Sequence, residues 1–234
     1  MVDDLEQRIQ TLAQWMQAAR YLVVFTGAGI STDSGLPDFR GPDGVWTRRD
    51  KGLPPPAMSD PWDSVPPNSG HLAVKELQDL GLLKFLISQN VDNLHLKSGI
   101  RPDFLAELHG NISRLRCSAC GRTYDKSAEP TDCVCGGALQ SSVVDFGQSL
   151  PEKDLALSFE HSRKSDLFIV IGSSLVVTPA AHMPMEALRG GARLVIINQG
   201  ETPFDRYAAL RFDEPIDRVM PQALQQLKQL MDPA

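Results

Sequence analysis

The strongest constraint on the fold comes from four short apolar runs, each followed directly by glycine or polar residues. They read LVVF at 22–25, FLI at 85–87, FIVI at 168–171 and LVII at 194–197. Continuous apolar runs of this length, rich in β-branched residues, are typical of parallel strands buried on both faces. The sequence therefore predicts a parallel sheet whose strands all end in polar residues.

Apolar residues at helical spacing lie between and around these runs. One set precedes the first run, a second precedes a capping Gly81, and a closing helix is expected over 221–231. The two sets are Leu5, Ile9, Leu12, Met16 and Ala19, then Ala73, Leu77 and Leu80. Strands alternating with helices predict a doubly wound α/β sheet, which binds ligands beyond the carboxyl ends of its strands.

Residues 41–69 differ from the rest of the chain because they contain seven prolines and two tryptophans. Proline at this density disfavours regular structure. We expect an ordered but mobile cover that shelters Trp46 and Trp62, since leaving both in water would be costly. An ordinary surface loop remains the alternative.

Composition and charge exclude several classes of function. The 234 residues are 42% hydrophobic, with 23 basic and 29 acidic side chains and a net charge of −6. Without a basic run, neither nucleic acid nor an anionic membrane is an expected partner. The N-terminus lacks a signal-peptide pattern and the apolar runs are too short to span a bilayer. We expect a cytoplasmic, stand-alone unit without a regulatory tail.

All four cysteines lie in one short segment, as Cys117-x2-Cys120 and Cys133-x-Cys135. Such a cluster makes a poor disulfide framework in a chain of this length, and four thiolates on two tight turns suit a tetrahedral structural zinc ion. Free or redox-active thiols are the alternative. We expect a small ribbon over about 111–144 that is stabilised more by metal than by core.

The first apolar run leads into the stretch GAGISTDSGLPDFRG at 27–41. Gly27 and Gly29 allow a tight turn and a close approach to a pyrophosphate. An ordinary dehydrogenase fingerprint fits poorly, because Thr32 replaces the third glycine and Asp50 does not follow a second strand. A plain strand-to-helix turn is the simplest alternative.

The complete stretch, however, resembles the signature of the sirtuins, the NAD-dependent protein lysine deacylases. Further segments resemble sirtuin motifs in the same order along the chain. These are QNVD at 89–92 followed by Leu94 and His95, HG at 109–110, the four cysteines, GSSL at 172–175 and VTPA at 177–180. The resemblance extends from about residue 19 to residue 198 and more weakly to the end.

The resemblance implies a single catalytic domain over 1–234, a Rossmann-like sheet with small-domain inserts at about 41–80 and 111–144. The inserts would be a helical module and the zinc ribbon. It also implies NAD as co-substrate and one structural zinc ion on Cys117, Cys120, Cys133 and Cys135. The implied NAD-binding residues are Gly27, Ala28, Gly29, Asp38, Phe39, Arg40, Gln89, Asn90, Asp92, Gly172, Ser173, Ser174 and Asn198.

The resemblance also assigns catalytic roles. Asn90 and Asp92 would orient the nicotinamide carboxamide, Gln89 would contact ribose hydroxyls, and Phe39 would shield the reactive sugar carbon. The acyl oxygen of the substrate lysine would displace nicotinamide. His109 would then activate a ribose hydroxyl as general base, and hydrolysis would release lysine and O-acyl-ADP-ribose. His95 is expected only to hydrogen-bond within the core.

The implied protein substrate is an extended acyl-lysine peptide that adds as a strand between two segments. Its expected contacts are Val144, Phe146, Gly147, Val176 and Val177. The desuccinylase branch pairs a Tyr with an Arg in the helical module, and no tyrosine lies in 41–80. We therefore expect acetyl and other neutral acyl groups to be preferred over succinyl. Asp145 and Gln148 depart from the common family pattern, which leaves the peptide preference open.

Three alternatives have different requirements. A mono-ADP-ribosyltransferase or NAD glycohydrolase would keep the nucleotide site without using acyl-lysine, and the peptide-facing segments disfavour it. A zinc-ribbon interaction protein would not need His109 or the QNVD segment. A dehydrogenase would need the missing glycine and acidic partner. The sequence thus favours a monomeric NAD-dependent deacylase.

Overall fold

A computed structural model describes residues 4–41, 43–56, 62, 64–145 and 147–232. Within them lie nine β-strands and seven α-helices. The strands are β1 (Leu22–Thr26), β2 (Leu83–Ser88), β3 (Leu105–Glu107), β4 (Arg114–Cys117), β5 (Thr123–Asp125), β6 (Leu139–Ser141), β7 (Leu167–Ile171), β8 (Arg193–Ile197) and β9 (Leu210–Phe212). The helices are α1 (Asp4–Ala18), α2 (Val45–Asp50), α3 (Ser69–Asp79), α4 (Leu94–Lys97), α5 (Glu152–Lys164), α6 (Met183–Arg189) and α7 (Ile216–Met231).

Six strands form one sheet in the order β3-β2-β1-β7-β8-β9. Every neighbouring pair in it is parallel. The direction of strand order reverses between β1 and β7, which creates a crevice beyond the carboxyl ends of these two strands. The parallel sheet predicted from the apolar runs is confirmed.

Alternate strand residues pack against helices on opposite faces of this sheet. Val24, Leu86 and Ile169 lie in a core with α1, α3 and α7. Phe25, whose side chain points the other way, belongs to a second core that includes residues of α5 and α6. Because both faces are covered, polar residues occur only at or near the strand ends, and the middle of each strand is continuously apolar.

The remaining strands, β5-β4-β6, form a separate antiparallel sheet within residues 111–144. This sheet carries the four cysteines. The helix α3, by contrast, packs its apolar face into the core of the large sheet, although it falls within the expected 41–80 insert. The division of the chain into a domain with two inserts stays a prediction.

Two expectations about local structure are wrong. The 41–69 segment is not wholly irregular, because α2 forms in 45–50, where the sequence VWTRRD contains no proline. The closing helix begins at Ile216 rather than at Pro221, which lies inside α7. The buried face of α7 continues on both sides of the proline, through Val219 and Leu224, and this packing favours helix despite the missing amide hydrogen.

The helix predicted from the spacing of Leu5 to Met16 is confirmed as α1, which ends one residue before Ala19. Gly81 follows α3 with a φ of +73°, the left-handed conformation expected of a residue that ends a helix. Across the described part of the chain, no helix has the length and apolar character needed to cross a membrane.

Candidate active site

Three glycines bring the ends of β1 and β7 into direct backbone contact. The amide of Gly29 donates to the carbonyl oxygen of Gly172 over 2.8 Å. A Cβ added to Gly29 would lie 2.9 Å from Gly172, and one added to Gly27 would lie 2.7 Å from the same carbonyl oxygen. Only glycine fits where these segments cross. Gly27 directly precedes a seven-residue 3-10 helix, Ala28–Ser34, which contains Gly29.

A buried polar pocket lies beside this turn. Ser31 donates to the Asp92 carboxylate over 2.7 Å. Asn90 donates to Ser31 Oγ and to the carbonyl oxygen of Gly27, each over 3.2 Å. Asn90 and Asp92 are only 8% and 4% exposed, and burial raises the pKa of the Asp92 carboxyl although hydrogen bonds from Ser31 and the Leu94 amide oppose the shift. The pocket offers amide and carboxyl groups out of bulk water.

Two histidines lie close to this pocket. His95 hydrogen-bonds Thr26 Oγ1 over 2.8 Å, and His71 Nε2 lies 3.4 Å from Ser31 Oγ. Their ring centroids are 5.0 Å apart. Burial lowers the pKa of His71 to about 4 and that of His95 well below its ordinary value, so both rings are neutral at pH 7. His95 is a core hydrogen-bonding residue, as predicted.

Ser31 and His71 received no role from the sequence. Asn68 caps α3 by accepting from the Gly70 and His71 amides, and the His71 ring completes a reciprocal capping box. Asn68 also donates to the carbonyl oxygen of Ile30 over 2.7 Å. The sequence NSGH at 68–71 was a signal for the cap, but not for its contact with the pocket.

His109 follows β3 and lines the same cleft. Its Nδ1 lies 2.8 Å from the carbonyl oxygen of Gln89. Since a carbonyl oxygen only accepts, Nδ1 carries the ring proton and Nε2 is the basic nitrogen. Burial lowers the pKa of His109, so the imidazole is neutral and able to accept a proton at pH 7.

Polar groups after β2, β7 and β8 complete the inner wall of the cleft. Gln89 Nε2 donates to Ser173 Oγ over 2.7 Å. Asn198 donates from its amide to the carbonyl oxygens of Gln199 and Gly200, each over 3.1 Å. Gln89 therefore has a protein partner at the position from which it was expected to reach a ribose.

The loop that follows the 3-10 helix carries Asp38, Phe39 and Arg40. The Phe39 and Trp46 rings are 5.4 Å apart, and the Arg40 guanidinium lies 4.4 Å over the Trp46 ring. Asp38 accepts from the Gly41 amide over 2.9 Å. Phe39 is 39% exposed, so this aromatic-cation stack covers one side of the cleft while Phe39 itself still meets solvent.

The cleft has a volume of about 630 Å³, within the range of small-molecule sites. The cleft is also lined by residues without a predicted binding role, of which only the two tryptophans were expected to be sheltered: Ser31, Leu36, Trp46, Trp62 and Glu201. Phe146 lies outside the described residues. All other predicted NAD, peptide and catalytic residues line this one cleft: Gly27, Ala28, Gly29, Asp38, Phe39, Arg40, Gln89, Asn90, Asp92, His109, Val144, Gly147, Gly172, Ser173, Ser174, Val176, Val177 and Asn198.

The cysteines form a separate cluster on the small sheet. Their four Sγ atoms all lie within 4.8 Å of one another. Two pairs, Cys117 with Cys135 and Cys120 with Cys133, are 3.5 Å apart. A Cβ on Gly137 would lie 2.6 Å from Cys117 Sγ, so the chain passes close around the sulfurs. Four soft donors at this spacing fit a tetrahedral zinc ion, including the pair separated by only one residue.

Comparison with known proteins is consistent with this geometry. The model of the Sir2 family matches residues 56–179. The NAD-dependent protein deacetylase SRT1 of Arabidopsis thaliana is 39% identical over 98% of this chain and 51% of its own length. This chain therefore spans about half of that relative. The NAD-dependent protein deacetylase 1 of Bradyrhizobium diazoefficiens is 40% identical, and the match covers 90% of this chain and 92% of that protein.

A solved structure of Sir2 with a p53 peptide and NAD+ superposes with a TM-score of 0.75 and 33% sequence identity, covering 93% of this chain and 98% of that one. Sequence, fold and site geometry thus agree along nearly the whole chain, and the protein belongs to the Sir2 family.

Proposed function

We propose that this chain is an NAD-dependent protein lysine deacylase that releases nicotinamide and O-acyl-ADP-ribose. The observation that carries the proposal is the His109 ring, whose Nδ1 bond to Gln89 leaves Nε2 as the basic atom, in the same cleft as the buried Asn90 and Asp92. The reaction requires two features of the protein, namely a general base and a polar pocket that can hold an amide. The relatives named as deacetylases support it.

NAD would lie across the crevice at the reversal of strand order. The glycine crossing leaves backbone rather than side chains at the turn, which suits a pyrophosphate. Asn90 and Asp92 would hold the nicotinamide carboxamide, while Ser173, Ser174 and Asn198 would contact the adenosine half. Bound NAD supplies an ADP-ribosyl group with a leaving nicotinamide, and the buried pocket excludes water from that bond.

His109 would accept a proton from a ribose hydroxyl through Nε2. The bond from Nδ1 to Gln89 fixes the ring orientation, and the lowered pKa keeps the ring uncharged at pH 7. Rates should therefore rise with pH as His109 loses its proton and then level off. Phe39 would cover the reacting carbon after rotation away from solvent.

The acyl-lysine peptide would lie between the 144–147 and 176–177 segments. Val176 is 47% exposed, and an added strand would cover it. Among the described residues of the cleft there is no tyrosine or lysine, and Arg40 already stacks on Trp46. An anionic acyl group would thus lack a ready counter-charge, which favours acetyl and other neutral acyl groups over succinyl.

The four cysteines would hold one structural zinc ion, which closes the β5-β4-β6 ribbon and takes no part in the chemistry. We further propose that residues 1–234 act as one catalytic domain with inserts at about 41–80 and 111–144. A cytoplasmic monomer without nucleic-acid or membrane partners is the setting that fits the charge and composition.

The decisive experiment follows all products of one reaction by mass spectrometry. The protein is incubated with acetyl-lysine peptide, with and without NAD. Deacetylation that requires NAD and forms O-acetyl-ADP-ribose in step with nicotinamide is the expected result. Nicotinamide release without peptide turnover on acetyl-, longer acyl- and succinyl-lysine peptides would instead identify a glycohydrolase or transferase and refute the proposal.

His109→Ala tests the catalytic base, and His161→Ala is its matched control. We expect His109→Ala to fold and bind NAD but to lose about 100-fold or more in turnover, the usual loss for a general base. His161→Ala removes another partly buried histidine, one that stacks on Phe85 away from the cleft, and should retain turnover. Equal activity of the two variants would remove His109 from the mechanism.

A further inference from the structure

Two loops carry the groups that the proposed chemistry uses, and hydrogen bonds connect them. Residues 89–93 follow β2, and residues 109–113 follow β3. The His109 ring donates to Gln89, and the Ile112 amide donates to the Val91 carbonyl oxygen over 2.8 Å. A third bond, from Asn111 to Asn93, joins the two loops through side chains.

Asn111 is fully buried and all of its amide groups are used. Its Nδ2 donates to Asn93 Oδ1 over 2.8 Å and to Glu107 Oε1 over 2.6 Å. Its Oδ1 accepts from the Ser113 amide over 2.8 Å. Because the oxygen is fixed by a donor, the amide has one allowed orientation, and each of its two hydrogens has one acceptor.

Asn93 directly follows Asp92 and holds a left-handed backbone conformation with a φ of +67°. The Asp92 carboxylate in turn accepts from the Leu94 amide over 2.9 Å. The orientation of Asn93 is therefore linked to that of the pocket carboxylate. Asn111 lies two residues after His109, so one side chain is connected to both loops.

Glu107 is the last residue of β3 and lies on the other side of Asn111. Its carboxyl group faces Arg114 from β4, Asp154 from α5 and Asp92 from the loop after β2. Burial raises the pKa of Glu107 to about 7, while Asn111 and Arg114 oppose that rise and the two acidic neighbours add to it. Its charge thus changes in the range where the protein would work.

We propose that Glu107 is a positioning residue that acts through Asn111. It would hold Asn93, and with it Asp92, in a fixed position relative to His109. This inference rests on the proposed deacylase function. Glu107 itself would touch no substrate. The ionised carboxylate accepts the stronger hydrogen bond from Asn111, so the two loops are held best when Glu107 is charged.

The test compares three variants with the wild type in NAD-dependent deacetylation of an acetyl-lysine peptide. Glu107→Met keeps a similar volume and removes the acceptor. Glu107→Gln keeps an oxygen acceptor and cannot ionise. Asp154→Asn is the matched control, because it neutralises a neighbouring carboxylate that has no bond to Asn111. Circular dichroism and calorimetric NAD binding establish that each variant is folded.

We expect Glu107→Met to lower kcat about 10-fold or more while the KM for NAD changes less than about threefold, since misplacement of reacting groups affects turnover more than binding. Glu107→Gln should restore kcat to within about threefold of wild type at pH 7. It should also flatten the dependence of kcat on pH between 6 and 8. Asp154→Asn should not lower kcat, because removing this acidic neighbour favours the ionised form of Glu107.

Wild-type kcat in Glu107→Met would overturn the proposal, and so would an equal loss in Asp154→Asn, which would indicate a general charge effect. Should the Met variant not fold, the pH profile decides: a Gln variant with the wild-type profile would equally refute the role of Glu107. Failure of the wild type itself to deacetylate any acyl peptide is a different outcome, and it would refute the proposed function together with this inference.

Discussion

Replacing Gly172 by alanine tests the glycine crossing that forms the floor of the cleft. Gly172 has a φ of +65°, and a Cβ there would lie 2.3 Å from the Ile30 nitrogen and 2.5 Å from the Gly29 carbonyl carbon. Both neighbours are backbone atoms, so no side-chain rotation relieves the clash. Gly191 is the matched control, because its φ is +89° and its Cβ would meet nothing within 4 Å.

Both variants have the cost of a left-handed alanine, and only Gly172→Ala also has the cost of a backbone overlap. A left-handed alanine costs about 1 kcal/mol at either position. At position 172 the overlap adds about 1–3 kcal/mol, and loss of the bond from the Gly29 amide to the Gly172 carbonyl adds about 1 kcal/mol. We therefore expect Gly172→Ala to be less stable than Gly191→Ala by about 2–4 kcal/mol.

Equilibrium urea unfolding followed by circular dichroism measures this difference. With an m-value of about 2–3 kcal/mol per molar urea, the midpoint of Gly172→Ala should lie about 1 M below that of Gly191→Ala. NAD should raise the midpoint of the control and have little effect on Gly172→Ala, since the turn must move. Equal midpoints would refute the close packing of β1 and β7 at this point.

Three further predictions concern the ribbon, the buried carboxyl and the core. Removal of zinc by a chelator, or replacement of Cys117 and Cys120 by alanine, should release one metal ion per chain and unfold the ribbon; a folded metal-free protein would contradict this. Burial raises the pKa of Glu107 from 4.5 to about 7. The protonated side chain therefore stabilises the fold fully below pH 4.5, and this stabilisation is lost as the pH rises to about 7. Glu107→Gln should therefore gain up to about 3 kcal/mol relative to wild type across that window, whereas parallel pH curves would contradict the shift. Phe168 is fully buried, and Phe168→Ala should lower the free energy of unfolding in urea by about 3–5 kcal/mol. Phe104→Ala, at a half-buried position, should lower it much less.

The central strands could be predicted because burial on both faces leaves a continuous apolar run in the middle of each. The edge strands β3 and β9 have only three residues each, too few to form a recognisable pattern. The composition of 41–69 does not reveal α2, because prolines dominate the segment although none falls within the helix itself. In α7, tertiary packing of its apolar face outweighed the local effect of Pro221.

The site could be predicted to the extent that its residues follow strands directly. Gly27, Asn90, His109 and Gly172 all do so or nearly so, and parallel strands bring their carboxyl ends to one edge. The supporting residues are different in kind. His71 contacts the pocket from the first turn of α3, and the sequence pattern around it indicates a helix cap alone.

Perturbed ionisation is concentrated at this edge of the sheet. Outside the cysteine cluster, the largest pKa shifts among the described groups belong to His71, His95 and Glu107, and in each case burial is the main cause. His71 and His95 lie beside the Ser31–Asp92 pocket, and Glu107 reaches it through Asn111. Burying such groups lowers the stability of the protein, and groups of this kind are concentrated at sites that serve a reaction.

The conflict between stability and function is clearest at Glu107. A glutamine at the same position would offer an oxygen to Asn111 without the cost of a buried charge, so folding alone favours glutamine. The carboxylate gains only in the strength of the hydrogen bond that it accepts when ionised. A loss of turnover in Glu107→Gln at high pH, accompanied by a gain in stability, would show that the chain retains this carboxylate for function rather than for folding.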